Sequence, residues 1–397
     1  MTKKMMCENQ VKEILLADVE EVAQNLLPLT FTRPTGALRT GIYTGAERWE
    51  RLSGLPVKYK TREHLREIFG DAEETADSVT VGAHFIPTAL LAEAVKTLKP
   101  GERLVTPEGE EIARRGKEAT VEMTYTEPLA AIRKLYHIFG LNDEILRADF
   151  NLATEGRESR AASPTNRING RTDQLFIDPE AGDVECANIN TNCGPVYIGP
   201  GAEVMEGACL RGPIAVLDGA TVNMGAKIYG ATTIGPHSKV GGELNNVVIT
   251  GYSNKAHDGF LGNAVLGEWC NIGGGCTASN LKNDYTEIKL WNYPTRRFER
   301  TGLIHCGLIM ADHSKAGINT MLNTATVIGV GVNIHGTGFP RNFIASFSDG
   351  SATGFSEVPL KKFLDTARRV MARRNIELDE AHIRLYSYLY EATDTYR

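Results

Sequence analysis

The sequence predicts three parts in series: an α/β domain, a parallel β-helix, and a pair of C-terminal helices. The central prediction rests on a count. Ile198, Val204, Leu210, Val216, Val222, Ile228, Ile234 and Val240 fall at a strict step of six. With 42% of residues apolar, eight hits in one frame arise by chance in roughly one frame in a thousand. A helix repeats every ~3.6 residues and a strand every ~2. A period of six fits a tube in which three six-residue sides make one coil and each side turns one apolar residue inward. The other two parts are predicted by the change of period on either side of the tube, to alternating strand and helix patterns before it and helical spacing after it.

The 397 residues are enough for two or three domains. Net charge is −6, with acidic and basic residues mixed and no long basic run, which argues against a nucleic-acid partner. Seven cysteines (7, 186, 193, 209, 270, 276, 306) are scattered without a Cys-x-x-Cys or Cys/His metal spacing. They read as reduced thiols of a cytoplasmic protein, and no metal site is expected from them. The N-terminal residues lack the apolar run of a signal peptide, and nothing reaches transmembrane length, so no membrane partner is expected.

Residues 1–170 read as the α/β domain. Residues 13–17 are a buried strand and 77–81 a second. A helix follows with Leu90, Leu91, Ala94, Val95 and Leu98 on one face, closed by Pro100-Gly101. Residues 103–105 and 111–113 form a hairpin around Pro107-Glu108-Gly109, and 128–141 read as helix. Residues 151–169 are polar, with Ser163-Pro164 and Asn169-Gly170, and read as a linker or crossing loop. The tube spans 171–345, with its first clear coil at Gly194. Its period returns at Phe260, Leu266, Ile272 and Ala278, breaks over 279–303, and resumes at Ile304, Met310, Ala316, Leu322, Ile328 and Ile334. The break is charged and aromatic, so it loops out of the tube. In 346–397, Leu360, Phe363, Leu364 and Val370, then Ile383, Leu385, Tyr386, Leu389 and Tyr390, fall at helical spacing. These helices are expected to cap the open end of the tube and its unpaired strand edge.

Two features carry a family resemblance. After the first strand, where nucleotide-handling α/β domains have a glycine-rich loop, the chain has Leu27-Pro-Leu-Thr-Phe-Thr-Arg33-Pro34. The tube carries Gly after the apolar residue, as in Ile234-Gly235, Val240-Gly241, Leu266-Gly267, Ile272-Gly273 and Ile328-Gly329. Together with Gly194-Pro-Val-Tyr-Ile-Gly199 and Gly336-Thr-Gly-Phe-Pro340, these runs resemble a diverged bacterial branch of the bifunctional glucosamine-1-phosphate N-acetyltransferase / N-acetylglucosamine-1-phosphate uridylyltransferase family. The resemblance implies a nucleotidyltransferase-like N-terminal domain, a left-handed β-helix and a cytoplasmic homotrimer. It implies acetyl-CoA as acyl donor and a sugar phosphate as acceptor, on the way to UDP-N-acetylglucosamine. It implies Mg²⁺ and UTP or another nucleoside triphosphate for the N-terminal domain.

Residue roles follow from the same resemblance. His257 holds the place, four residues before Leu261-Gly262, of the family's catalytic base. An imidazole with an ordinary pKa near ~6.5 suits proton removal from an attacking amine. Asn271 and Asn280 match asparagines that touch the sugar or its phosphate, and Glu243 matches an acid that meets the sugar hydroxyls or the amine. Lys289, in the looped-out segment, matches a lysine that reaches a neighbouring subunit's substrate. Gly274 and Gly336 fall where acetyl-CoA passes close to the backbone, and glycine permits that approach. His313 lines the acetyl-CoA channel or is structural. Arg33 and Arg39 grip nucleotide phosphates with their guanidinium forks, or are structural arginines of a tight loop. One departure stands out: Phe260 occupies a place where a sugar-contacting tyrosine is common.

Three functions remain open on sequence. The first is acyl transfer to an amino-sugar phosphate, with or without nucleotidyl transfer. The second is sugar-1-phosphate nucleotidyl transfer on a trimerising or regulatory tube. The third is a non-catalytic structural trimer. His257 with Asn271, Asn280 and Lys289 favours the first; the missing glycine loop weakens the second.

Overall fold

Residues 10–397 are described by a computed structural model; Cys7 and the other residues before Gln10 lie outside the described residues. The chain forms two compact units. One takes in the chain to Leu26, Thr32–Leu38 and Tyr43–Lys134; the other takes in Leu27–Phe31, Arg39–Ile42 and Leu135–Arg397.

The first unit is built on six strands: β1 (Glu13–Ala17), β2 (Val57–Lys60), β3 (Ser78–Gly82), β4 (Glu102–Val105), β5 (Glu111–Arg114) and β6 (Val121–Thr124), in the order β2-β1-β3-β5-β4-β6. β1 runs parallel to β2 and β3, so its residues are covered on both faces, and Ile14, Leu15 and Leu16 are fully buried. The β4–β5 hairpin is antiparallel, as its turn residues require. Four helices join these strands: α1 (Glu20–Asn25), α2 (Gly45–Ser53), α3 (Arg66–Phe69) and α4 (Ala89–Lys96). Helix α2 starts on a capping box, in which Thr44 Oγ1 accepts from the Glu47 amide and Glu47 accepts from the Thr44 amide, and it ends at Gly54 with φ 69°. Trp49 of α2 and Leu91 and Val95 of α4 join Ile14, Leu16, Val79 and Val81 in one core. The helical stripe read from the sequence is narrower than expected at one position, because Leu90 faces solvent.

The second unit is a parallel β-helix, and its architecture fits the left-handed tube that the family resemblance implies. Its three faces are ladders. One stacks Val196–Ile198, Ile214–Val216 and Thr232–Ile234; a second stacks Glu203–Val204, Thr221–Val222, Lys239–Val240, Asn254–Lys255, Asn271–Ile272, Lys315–Ala316 and Asn333–Ile334; the third stacks Asn188–Asn190, Cys209–Arg211 and Lys227–Tyr229. The six-residue register is confirmed by pairing: Val204 stacks on Val222 and Val222 on Val240, all with no exposed surface.

Two coils then depart from it. Strands Glu243–Gly251 and Phe260–Glu268 each run unbroken across the corner between the third face and the first. Leu244 pairs with Leu261 and Ile249 with Leu266, so the step across that corner is five residues. This corrects two assignments of the periodic reading. Leu261, not Phe260, points inward, and Phe260 pairs with Glu243 on the outside. Ile304 is 51% exposed and Leu308 enters the core, while Met310 is inward as its place in the period predicts. The break contains an antiparallel hairpin, Lys289–Asn292 with Arg297–Arg300. Its Trp291 stacks on Phe343 at 4.2 Å and its Tyr293 meets Tyr396 at 4.9 Å, so it packs on its own chain.

Two segments differ from the sequence reading. The helix expected over 128–141 appears as α5 (Leu135–Gly140), followed by α6 (Asn142–Thr154), whose last four residues enter the expected linker 151–169. Helix α6 buries Asn142 and Asp149, a polar pattern that hides its inward face. Both are satisfied by backbone: Asn142 accepts from the Gly41 amide at 2.6 Å and donates to the Ala231 carbonyl at 2.7 Å, and Asp149 accepts from the Ile42 amide at 2.8 Å. Strand stacking also begins before Gly194, since Arg167–Asn169 pairs with Asn188–Asn190 and Leu175–Ile177 with Val196–Ile198.

Helices α7 (Leu360–Ala372) and α8 (Glu380–Ala392) lie along the flank of the tube. Phe363 packs on Phe347 and His313, and Arg374, just beyond α7, reaches Asn254 at 3.2 Å. The last strand edge is covered instead by a hairpin, Ser348–Ser351 with Gly354–Glu357. No helix of the described residues is long and apolar enough to cross a membrane.

Candidate functional site at one corner of the tube

The residue just before each inward residue of the second face points outward. In successive coils this places Lys239, Asn254, Asn271 and Lys315 in one ladder. The ladder is the floor of a groove of about 940 Å³. Val370, Arg373 and Arg374, at the end of α7 and beyond it, form one wall, with Tyr252 and Trp269 beside them. His257, Gly274 and Ile318 form the other.

His257 stands two residues after the inward Lys255, Gly274 two after Ile272, Ile318 two after Ala316 and Gly336 two after Ile334. All four therefore lie on the corner between the second and third faces. A Cβ at Gly274 would come within 3.5 Å of the His257 Cβ, so glycine leaves a gap directly beside the exposed imidazole.

The groove is cationic. Lys315 donates to the His313 carbonyl at 2.8 Å, and burial lowers its pKa to about 8. Arg374 donates to Asn254, and Lys239 and Arg373 add two more positive charges to the lining. Cations at this density suit a polyanionic ligand. Aromatic rings back the groove: Tyr252 stacks on Trp269 at 4.5 Å, and both are held at positive φ (51° and 62°) on the corner between the first and second faces.

On the far side of His257 lies the third face. Glu243 and Phe260 are neighbours there, and Asn280 donates to Asn263 at 2.8 Å next to Gly262. Glu243 accepts from the Tyr229 hydroxyl at 2.7 Å, which raises the Tyr229 pKa to about 12. His257 thus divides a cationic groove, which holds Asn271 and Gly274, from a polar face that holds Glu243 and Asn280.

Other residues singled out in the sequence lie elsewhere. His313 is 1% exposed, bonded to the Tyr386 hydroxyl at 3.0 Å and packed against Phe363, in the interior under α7 and α8. Gly336, at φ 81°, lies on the His257 corner beyond the groove. Lys289 is exposed on the hairpin and is absent from the groove lining. Arg39 donates to the Thr250 carbonyl at 3.3 Å and to the Ile42 carbonyl. Arg33 belongs to the first unit and is 4% exposed, and its carbonyl accepts from Arg62 at 3.2 Å. Sequence reading missed Lys239, Asn254, Lys315, Arg373 and Arg374. Lys239 and Lys315 were accessible, since each immediately precedes a periodic apolar position, whereas Asn254 precedes Lys255, which breaks the period.

In the first unit, Asp18 follows β1, where the carboxyl ends of β1 and β2 meet. Its oxygens accept from the Thr35 amide at 2.8 Å and the Thr61 hydroxyl at 2.6 Å, and Arg62 pairs with it at 3.4 Å. Among the described residues no group of three or more His, Cys, Asp or Glu side chains is placed to hold a metal.

Comparison with known proteins bears on both units. Residues 14–158 match the family model described as sugar nucleotidyl transferase. The chain is 26% identical over 239 residues to a protein named bifunctional protein GlmU from Synechococcus elongatus, covering 54% of this chain and 48% of that one. A protein of the same name from Trichodesmium erythraeum is 29% identical over 121 residues, 30% of this chain and 22% of the relative. The chain thus spans about half the length, or less, of the curated relatives it matches.

Proposed function

We propose that the chain, a diverged relative of the GlmU proteins it resembles, is a transferase that moves the acetyl group of acetyl-CoA to the amino group of a sugar phosphate resembling glucosamine-1-phosphate. The observation that carries this reading is His257 standing between a cationic groove and a polar face.

In this reading acetyl-CoA lies in the groove, with its phosphates toward Lys239, Lys315, Arg373 and Arg374 and its thioester led past Gly274. The amino sugar lies on the third face, with Glu243 and Asn280 as hydrogen-bonding partners. His257 takes the proton as the amine attacks the thioester carbon; the C–S bond breaks and coenzyme A leaves as the thiol. Phe260 offers the sugar an apolar edge and no hydroxyl, which favours an acceptor that makes one hydrogen bond fewer there.

Nucleotidyl transfer by the first unit is the second reading, supported by the family match over 14–158. There Arg33 would meet the phosphates through its guanidinium, while Arg39 already serves the backbone around Ile42 and Thr250. We propose a homotrimer as the working assembly. Ile318, 74% exposed, and Met224, 70% exposed, are apolar side chains of the tube that a neighbouring tube would cover. Purified protein given acetyl-CoA, glucosamine-1-phosphate and UTP tests both readings. Acceptor-dependent release of free thiol supports acyl transfer and its absence overturns it; pyrophosphate release reports the second reading separately.

A further inference from the structure

From Val204 to Ile334, every coil of the second face but one turns an apolar side chain inward. Lys255 pairs with Val240 in the coil before it, and Asn254 pairs with Asn271, which sets Lys255 in line with Ile272. Its side chain lies inside the tube with no exposed surface. A lysine is almost never so placed unless its ammonium is fully engaged. Here it is: Nζ donates to the carbonyls of Gly241 at 3.3 Å, Asp258 at 3.2 Å and His257. The ammonium has three protons, and it has three acceptors, two of them on the turn that bears His257.

The surroundings explain why that turn needs holding. Inward residues of the second face normally recur every 18 positions, as from Val204 to Val222 to Val240, but the next is at 255, 15 positions on. The corner at residues 256–259 is therefore approached by a shortened coil. Gly275 donates to the Asp258 carbonyl at 2.9 Å and Asn223 to the Ala256 carbonyl at 2.8 Å. The His257 carbonyl receives the buried ammonium from beneath.

We infer that Lys255 is a positioning residue: from inside the tube its ammonium clamps the 257–258 turn and fixes the backbone from which the His257 imidazole projects. This rests on the proposed role of His257 and adds a device to it. Burial disfavours the charged form of Lys255 and lowers its pKa, so the three carbonyls are what keep the cation in place.

The test compares wild type with Lys255→Met, which keeps the apolar stem and removes the donor, and Lys255→Arg, which keeps a donor. Expected for Lys255→Met are a melting temperature near wild type, a kcat for acyl transfer lower by about ten-fold or more, and a KM for acetyl-CoA changed by less than about two-fold. Hydrogen exchange at the amides of 257–259 should be faster, and Lys255→Arg should recover part of kcat. A melting temperature that falls while kcat of the folded enzyme stays at the wild-type value indicates a purely structural lysine and overturns the inference. If wild-type protein releases no thiol, the proposed reaction is wrong, and exchange at 257–259 still decides the clamp: unchanged exchange in Lys255→Met overturns it.

Discussion

The carboxyl ends of β1 and β2 and the corner at His257 both gather polar side chains, and they use them in opposite ways. Beside β1, Asp18 is turned inward onto Thr35, Thr61 and Arg62, so its charge serves the fold. At the tube corner, Lys239, Lys315, Arg373 and Arg374 line an open groove whose floor is a regular ladder. A buried, mutually satisfied cluster resists change because breaking it strands donors. An open ladder of cations retains its capacity for a ligand. The difference is why the proposed acyl transfer is tested at the tube corner.

That contrast can be broken at several points. After loss of His257 itself, the largest effect should come from Gly274→Phe. A side chain there fills the gap beside His257, and because Gly274 is not held at positive φ the backbone accepts it. Acyl transfer should fall by about 10²-fold, with the melting temperature held; unimpaired turnover would remove the thioester from this route. Next, Arg373→Glu with Arg374→Glu should raise the KM for acetyl-CoA by about ten-fold or more, since each charge-assisted bond contributes about 1.5–3 kcal/mol. An unchanged KM would show that the groove does not meet the phosphates.

A smaller effect should appear with pH. Lys315 is charged below its lowered pKa of about 8 and neutral above it. The KM for acetyl-CoA should therefore rise between about pH 7 and pH 9, and Lys315→Met should flatten that rise. A wild-type profile that Lys315→Met leaves unaltered removes Lys315 from the site. Smallest for activity, and confined to stability, is Asp18→Ala. It should lower the unfolding free energy by about 1–3 kcal/mol, read by denaturant melting, while acyl transfer stays at wild-type rate. Lost transfer in the folded variant would mean that the strand ends of the first unit matter to the reaction.

Much of this architecture was legible because the tube's interior writes a period into the chain. The stack from Val204 through Val240 required only counting, and the strands read at 13–17 and 77–81 appear at Glu13–Ala17 and Ser78–Gly82. Reading failed where polar groups do apolar work. Helix α6 is not evident from the sequence because Asn142 and Asp149 occupy buried positions and bond the backbone of Gly41, Ala231 and Ile42. Lys255 broke the period for the same reason. Phe260 was read as inward because the five-residue step across one corner cannot be told from a six-residue one by counting apolar residues alone.

The site was partly legible. His257, Asn271 and Gly274 come together at one groove, with Glu243 and Asn280 across the corner. Lys289 and His313 are placed by their own packing, on the hairpin and under the C-terminal helices. Arg373 and Arg374 lie more than a hundred residues from His257 in sequence, and only the return of α7 along the flank brings them to the groove.

The most direct measurement is acceptor-dependent thiol release by His257→Ala beside wild type, with the melting temperature of both. The account predicts a loss of ~10²–10⁴-fold in rate at an unchanged melting temperature, and any pyrophosphate release retained. A variant that keeps more than about a tenth of the wild-type rate would contradict it.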